Sequence, residues 1–463
     1  MPFDSFSYPT KNYSYDYNTI PIKVIINQRE VSEAIGTLDI YQFYDGFNKL
    51  IQTKTEAENN DQIVQDIFYD NNSRISNQSN PYITTFSKEF TTPNVNTNRI
   101  IYRYDDLDRI TNVTNPDNTI RSTNYDHWIT TIYDENNHKK TYYRDAYSNI
   151  YSVLEHNGQE IYNTSYTYNA ANELIFIKDS LNNTFNFSYD LVGRKIKLID
   201  PDLGTWSYSY DGAGNLIRQV DNKNNIILLS YDQLNRIINK NSTNQNITYT
   251  YDREKNSSLS EIKTINLIIN ISYDDRLRKI NEDKSIDSIK FNTIWTYDDL
   301  NRITSVKTPE GVTTTYNYNS QGQLNSISSV LNSLHYNEKS QVASRNYSNF
   351  LNTSYTYNIS NFRLIQINIP NIQFLNYSYD QVGNVKYIGD SINQRTEVMT
   401  YDDIDRLISS VRSGNATNQN AFNLVYNYNS IGNILNISSN GQFKIFSYGI
   451  IPLHAPISVL DGT

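Results

Sequence analysis

The chain has 463 residues, with 49 acidic and 40 basic side chains and a formal net charge of −9. Hydrophobic residues make up only 38%, yet the chain contains 40 tyrosines and no cysteine. This composition excludes disulfide bonds, thiol catalysis and cysteine-ligated zinc, and the unclustered, net acidic charge argues against a nucleic-acid partner. Because aromatic residues are too frequent for a disordered chain, we expect a folded protein whose core is built largely from tyrosines.

The first 40 residues lack a clear repeat and are predicted to form a strand-rich lead-in. Residues 20–26 read as a strand, and Gly36 marks a turn. The first residues carry no signal-peptide pattern, and the most apolar run, residues 265–271, is far too short to cross a bilayer. We therefore predict no membrane span.

Residues 41–463 are predicted to form one repeat array. Each motif opens with tyrosine and Asp or Asn, and its fifth position holds Gly, Asn, Asp or Ser in the clearest copies. The pattern is most regular at 166–240, where leading tyrosines recur every 21 residues. A fixed period of this length indicates a repeat architecture. The positions predicted to be structural are Tyr44, Tyr69, Tyr104, Tyr168, Tyr189, Tyr210, Tyr231, Tyr297, Tyr318, Tyr357, Tyr379, Tyr401, Tyr428, Gly193, Gly214, Gly322, Gly383 and Gly432.

Each motif is predicted to be a β-hairpin. Trp206, Tyr208 and Tyr210 alternate with serine and so share one face of a strand, and a short glycine-bearing turn follows Asp211. A carboxylate at that second motif position can accept backbone N–H bonds across the turn. About fourteen such units predict on the order of 28 strands, and a twisted ribbon of that length must coil or close. The polar stretch 413–420 is predicted to be a hairpin insertion.

The motif resembles the YD repeat of Rhs proteins, the teneurins and the Tc insecticidal toxin complexes. Residues 43–57 (FYDGFNKLIQTKTEA), 131–138 (TIYDENNH) and 200–206 (DPDLGTW) resemble the bacterial branch with SpvB/Tc-toxin B-like proteins. The resemblance implies an all-β fold, a long ribbon of antiparallel hairpins that coils into a curved, partly open hollow shell. In that family the shell encloses a toxic domain or supports an adhesion module. The flanking propeller and autoproteolytic segments of the family have no counterpart here, so the chain is expected to be a truncated or split shell segment.

Side chains that could carry chemistry have a simpler interpretation as turn residues or scattered polar groups. Two acidic groups occupy repeat positions that elsewhere hold Gly, Asn or Gln, which favours turn chemistry over metal or acid–base roles: Asp105, Asp106 and Asp108, and Asp402, Asp403 and Asp405. The histidines lack zinc-ligand spacing: His127, His138, His156, His335 and His454. Arginine at the sixth motif position is expected to lie along a tyrosine face or pair with an acid: Arg109, Arg194, Arg236, Arg302 and Arg406. We predict no catalytic residue, no cofactor and no metal site.

These observations favour a non-enzymatic structural shell segment of an Rhs/Tc-type toxin system, which encapsulates or scaffolds a toxin cargo. Its expected partners are other shell components or the cargo. Family analogy implies a secreted or extracellular protein, and without that analogy the expectation is a cytoplasmic one. The alternative is a secreted or cell-surface adhesion module that binds carbohydrate through exposed tyrosines. Unpaired strand edges at the ends of the ribbon also predict self-association.

Overall fold

The computed structural model describes residues 11–29, 37–57, 60–94, 96–414, 421–449 and 453–462. These residues form 41 β-strands and no α-helix. None of them belongs to a helix that could span a membrane. The predicted turn at Gly36 and residues 415–420 of the predicted insertion lie outside the described residues.

The strands follow one another at short intervals along the whole chain. In the first half they are β1 (Lys11–Asp16), β2 (Ile22–Arg29), β3 (Thr37–Tyr44), β4 (Leu50–Glu56), β5 (Asp61–Tyr69), β6 (Ile75–Ser79), β7 (Tyr82–Thr85), β8 (Arg99–Tyr104), β9 (Ile110–Thr114), β10 (Ile120–Asp126), β11 (Ile129–Tyr133), β12 (Lys139–Arg144), β13 (Ile150–Asn157), β14 (Glu160–Tyr168), β15 (Leu174–Lys178), β16 (Thr184–Tyr189), β17 (Lys195–Asp200), β18 (Gly204–Tyr210), β19 (Leu216–Val220), β20 (Ile226–Tyr231) and β21 (Ile237–Ser242). In the second half they are β22 (Gln245–Tyr251), β23 (Leu259–Lys263), β24 (Leu267–Tyr273), β25 (Lys279–Ile286), β26 (Ile289–Tyr297), β27 (Ile303–Lys307), β28 (Thr313–Tyr318), β29 (Leu324–Ile327), β30 (Leu331–Tyr336), β31 (Val342–Tyr347), β32 (Asn352–Tyr357), β33 (Leu364–Ile369), β34 (Gln373–Tyr379), β35 (Val385–Asp390), β36 (Arg395–Tyr401), β37 (Leu407–Ser413), β38 (Phe422–Tyr428), β39 (Ile434–Ser439), β40 (Gln442–Tyr448) and β41 (Pro456–Gly462).

Strands that follow one another pair antiparallel, as in the hairpin formed by β16 and β17. There Ser188 pairs with Lys197 and Tyr189 with Lys195, so a β-bulge lies just before the leading tyrosine. The predicted all-β ribbon of antiparallel hairpins is confirmed. The expected number of about 28 strands was wrong, because stretches between the recognisable motifs, such as residues 120–157, form hairpins of their own.

The chain divides into two compact units, and each unit combines two stretches of sequence. Unit 1 consists of residues Met1–Asn118 and Thr248–Ile372, and unit 2 consists of residues Thr119–Ile247 and Gln373–Thr463. Within each unit, therefore, hairpins far apart in sequence come together. No linker signal in the sequence marks these divisions.

Among the described residues, the pairing order departs from the simple ribbon near the start of unit 1. One edge of β5 pairs with β4, and its other edge pairs first with β7 and then with β6. Residues 86–91, which we call the strap, then cross the face of β3–β5. Phe86 and Phe90 meet the rings of Tyr41 and Phe43 edge-on, at centroid distances of 6.2 and 5.7 Å.

The strap creates the best-buried core of the described residues. We call β3, β4, β5 and the strap the strapped block. Its covered face contains seven side chains with at most 1% exposure, namely Tyr41, Phe43, Gln52, Lys54, Gln62, Val64 and Asp66. In contrast, none of residues 166–240, which we call the regular array, is buried. Most of the ribbon is thus a single layer.

Candidate functional site

The recurring turn of the motif is a closed set of hydrogen bonds around its aspartate. In one copy the Oδ1 atom of Asp190 accepts from the backbone N–H groups of Val192 and Arg194, both at 3.0 Å. Its Oδ2 atom accepts from Arg194 Nε at 2.6 Å. These bonds, above all the one from the Arg194 backbone, lower the pKa of Asp190. The carboxylate therefore closes its own turn, as turn chemistry predicts.

The fifth position of the turn lies in the left-handed region of backbone conformation. Gly193 has φ = 83°, and its N–H donates to Asp190 O at 3.1 Å. Non-glycine residues at this position adopt the same conformation, among them Asn172, Asn235 and Asp405 at φ values of 61°, 60° and 65°. Asparagine and aspartate tolerate this region better than other side-chain-bearing residues. The five predicted glycines all have positive φ: Gly193, Gly214, Gly322, Gly383 and Gly432.

The leading tyrosines end their strands and connect each motif to the one before it. The hydroxyl of Tyr210 donates to the carbonyl oxygen of Lys195, the seventh residue of the preceding motif, at 2.8 Å. Tyr44 instead donates to Gln42 Oε1 at 2.9 Å, and Tyr379 ends β34. The tyrosines that make the bond to the preceding motif are Tyr69, Tyr104, Tyr168, Tyr189, Tyr210, Tyr231, Tyr273, Tyr297, Tyr318, Tyr336, Tyr357, Tyr401, Tyr428 and Tyr448. We call this series the tyrosine ladder.

The sixth-position arginines connect neighbouring motifs as well. Besides binding its own turn aspartate, Arg194 donates to Asp211 O at 3.1 Å and stacks over the ring of Tyr210, 4.9 Å from its centroid. Arg302 and Arg406 stack in the same way over the leading tyrosines that follow them. The sequence predicted that these arginines either pair with an acid or lie along a tyrosine face. Arg194, Arg302 and Arg406 do both.

Sequence reasoning missed a second kind of turn and the tyrosine ladder itself. Asp179 closes the turn after β15 with the same bonds as Asp190, from the N–H groups of Leu181 and Asn183, both at 2.9 Å. The signal was present as an Asp-x-x-Asn-Asn stretch without a leading tyrosine. The ladder bonds left no such signal, because they join residues of two separate hairpins.

Turns from distant parts of the sequence also meet within each unit. In unit 2, Asn136 Nδ2 donates to Asp380 Oδ2 at 3.1 Å, and Asp403 N donates to Asn157 Oδ1 at 3.1 Å. In unit 1, Asn361 Nδ2 donates to Asp117 Oδ2 at 2.9 Å. The partners are 244 to 246 residues apart. We call these contacts the seams, because they join the edges of two stretches of ribbon.

Beside the seam of unit 2 lies a cavity of about 340 Å³, lined by charged residues that include Arg121, Lys140 and Glu155. It also contains Asp134, His138 and Asp405, each of which offers a ligand atom within 4.8 Å of the others. Sequence reasoning treated these residues separately, as turn aspartates and a scattered histidine. The structure brings them together.

The comparisons with known proteins agree on the repeat and on the fold. The family model described as RHS Repeat matches residues 297–331. A search of curated protein sequences found no match. Among solved structures, the chain is similar to TcdB2-TccC3, at a TM-score of 0.84 and 16% identity, over 98% of this chain and 29% of that one.

Two further structures give the same result. The TcdB2-TccC3-Cdc42 structure matches at a TM-score of 0.81 and 16% identity, over 95% of this chain and 28% of that one. A Photorhabdus luminescens Tc holotoxin pore with a TccC3 mutation matches at 0.83 and 16% identity, over 95% and 27%. At this identity the likeness concerns the fold. The chain spans less than a third of the length of each of these chains.

Proposed function

We propose that this chain is a wall segment of an Rhs/Tc-type toxin system, because the RHS Repeat model matches residues 297–331 and the chain has the fold of part of the Tc structures. In this role it encloses or scaffolds a toxin cargo. It carries out no chemistry of its own. Its partners are the remaining parts of the shell and the cargo, and it acts outside the cell that makes it.

The tyrosine ladder is the observation that carries this proposal. Each ladder bond fixes one hairpin to the next, as between Tyr210 and Lys195, and arginine stacking covers the same junction. A single-layered sheet has no second layer to hold it in shape, so contacts between neighbouring repeats must do so. A sheet whose neighbouring hairpins are fixed to one another in this way is suited to form a continuous wall.

The state of the polar residues also favours a structural role over catalysis. In the copies with Asp at position two and Arg at position six, these side chains bind each other, as Asp232 binds Arg236 at 2.7 Å. Carboxylates committed to turns in this way are poorly suited to proton transfer. The ladder likewise occupies the hydroxyls of the leading tyrosines, which gives the carbohydrate-binding alternative less support.

Protease protection tests the proposal. The chain is expressed together with the coding sequences on either side of it, and the purified assembly is treated with increasing protease. We expect a polypeptide that is digested when free to survive in the assembly, and electron microscopy to place this chain in the wall around it. Digestion at the same rate in the free and the assembled state would contradict the proposal.

A further inference from the structure

We propose that Asp134, His138 and Asp405 bind a divalent transition-metal cation, with Zn²⁺ as the preferred ion. Asp134 and His138 belong to the turn between β11 and β12, and Asp405 belongs to the turn between β36 and β37. One ligand atom from each residue lies within 4.8 Å of the other two. The site is a property of unit 2 and does not depend on the proposed wall function.

His138 occupies the sixth position of its motif but does not make the usual bond. In comparable turns the sixth side chain donates to the aspartate Oδ2, as Arg406 Nε does to Asp402 at 2.7 Å. The Nδ1 atom of His138 lies 3.1 Å from Asp134 Oδ2, yet it is buried and has no hydrogen-bond partner among the described residues. A separation near 3 Å is what two neighbouring ligands of one ion have at metal–ligand distances of about 2.0–2.2 Å.

The turn itself does not need the imidazole. Asp134 Oδ1 accepts from the N–H groups of Asn136 and His138, at 2.9 and 2.7 Å, as Asp190 and Asp232 do in their turns. The other ring nitrogen, Nε2, faces Asp403 Oδ1 at 3.6 Å. Metal-binding histidines commonly have a carboxylate near the nitrogen that does not bind the metal, which orients the ring. Asp403 is placed for that role.

Asp405 differs from its counterpart in unit 1 in a way that favours a cation. Asp108 also occupies the fifth position of its motif, and Arg74 of the preceding motif neutralises it at 2.7 Å. At Asp405 the corresponding residue is Asn384, whose Nδ2 donates to Oδ1 at 2.7 Å. The neutral amide of Asn384 orients the Asp405 carboxylate but does not neutralise its negative charge.

The net charge of the residues that line the cavity also favours a bound cation. Its lining contains five carboxylates, from Asp134, Glu135, Glu155, Asp403 and Asp405, against three cationic side chains, from Arg121, Lys139 and Lys140. With neutral histidine the formal charge is −2, which a divalent cation balances. Imidazole together with carboxylates suits Zn²⁺ better than Ca²⁺ or Mg²⁺, which prefer oxygen ligands alone.

Isothermal titration calorimetry of the full chain, after treatment with a chelator, tests the proposal with Zn²⁺ and, separately, Ca²⁺. We expect one saturable Zn²⁺ site that Ca²⁺ does not fill. His138→Gln and Asp405→Asn should each weaken Zn²⁺ binding by at least roughly tenfold. Both replacements occur naturally at these motif positions, as Gln323 and Asn301, so the turns should fold.

His127→Gln is the matched control, because His127 also lies beside an aspartate in unit 2, 2.6 Å from Asp126, but is largely exposed. It should leave Zn²⁺ binding unchanged. Hydrogen exchange should also slow in both contributing turns when Zn²⁺ is added. The proposal is overturned if Zn²⁺ binding is not saturable, or if the His127 and His138 variants bind Zn²⁺ equally well.

Discussion

The strapped block and the regular array are built from the same motif but are stabilised differently. In the block, residues 86–91 cover one face of the sheet, and side chains such as Phe43 and Val64 are almost completely buried. In the array, residues 166–240 include no buried side chain, and each hairpin is fixed by turn bonds and the tyrosine ladder. A β-ribbon forms a compact core only where another segment covers it.

The covering segment also determines which polar groups enter the core. Gln52 Nε2 donates to Asp66 Oδ1 and to Thr91 O of the strap, at 2.7 and 2.8 Å. Lys54 Nζ donates to the strap carbonyls of Ser87 and Glu89. Buried polar groups need such partners. The block therefore depends on a network that the array lacks.

The largest expected effect comes from removing a ring from the block. Phe43→Ala should lower the free energy of unfolding by about 3–5 kcal/mol, because it leaves a cavity under the strap. Phe187→Ala, at a half-buried position in β16 of the array, should cost less. Hydrogen exchange of the strands measured against urea concentration reports each region separately.

Phe47→Ala is the control for this experiment, since Phe47 lies in the turn after β3 and is 84% exposed. It should leave the protection of β3–β5 unchanged. If the Phe43 and Phe187 replacements lowered the free energy of unfolding equally, the strap would not add a stabilising core.

The next largest expected effect is a rise of stability with pH in the strapped block that the regular array should not show. Burial lowers the pKa of Lys54 from 10.5 to about 8, and nearby Asp66 and Glu89 oppose this only in part. Between pH 8 and 10.5 the unfolded chain then binds more protons than the folded chain, so stability rises with pH. From pH 7 to 9.5 the block should gain on the order of 1–2 kcal/mol.

Over the same range the stability of the regular array should change less, and in the opposite direction. Burial raises the pKa of tyrosines such as Tyr189 from 10.0, so their stabilisation is lost only as the pH approaches and passes 10, where the unfolded chain ionises. Lys54→Met should abolish the increase in the block, as measured by urea unfolding at each pH. An increase that persists in Lys54→Met would assign the effect to another group.

A third prediction concerns the array turns. Gly214 has φ = 92°, and an added Cβ would meet no atom within 4 Å, so Gly214→Ala tests backbone conformation alone. We expect a loss of about 1–2 kcal/mol. Gly214→Asn should cost clearly less, since Asn172 and Asn235 adopt this conformation in neighbouring motifs. Urea unfolding compares the two variants, and equal losses would contradict the assignment of this position.

The sequence predicted the features that depend on nearby residues. A turn aspartate such as Asp190 reaches the residues two and four positions ahead, so its role can be read from the motif. The strap and the seams depend on distant partners, such as Gln52 with Thr91 and Asn136 with Asp380. No local pattern specifies these pairs. The cluster around His138 was missed for the same reason, because its third member comes from a turn more than 260 positions away.

The smallest effect tests whether the ladder stabilises the array as burial stabilises the block. Tyr210→Phe keeps the ring under Arg194 but removes the hydroxyl that donates to Lys195 O at 2.8 Å. The loss should be about 1 kcal/mol. Because the bond joins two hairpins, hydrogen exchange should quicken in β17 and β18 together. Tyr147→Phe, at a tyrosine in the same unit with 77% exposure, is the control and should change neither. If Tyr210→Phe were also neutral, contacts of the ring and not the ladder bonds would hold the single-layered ribbon together.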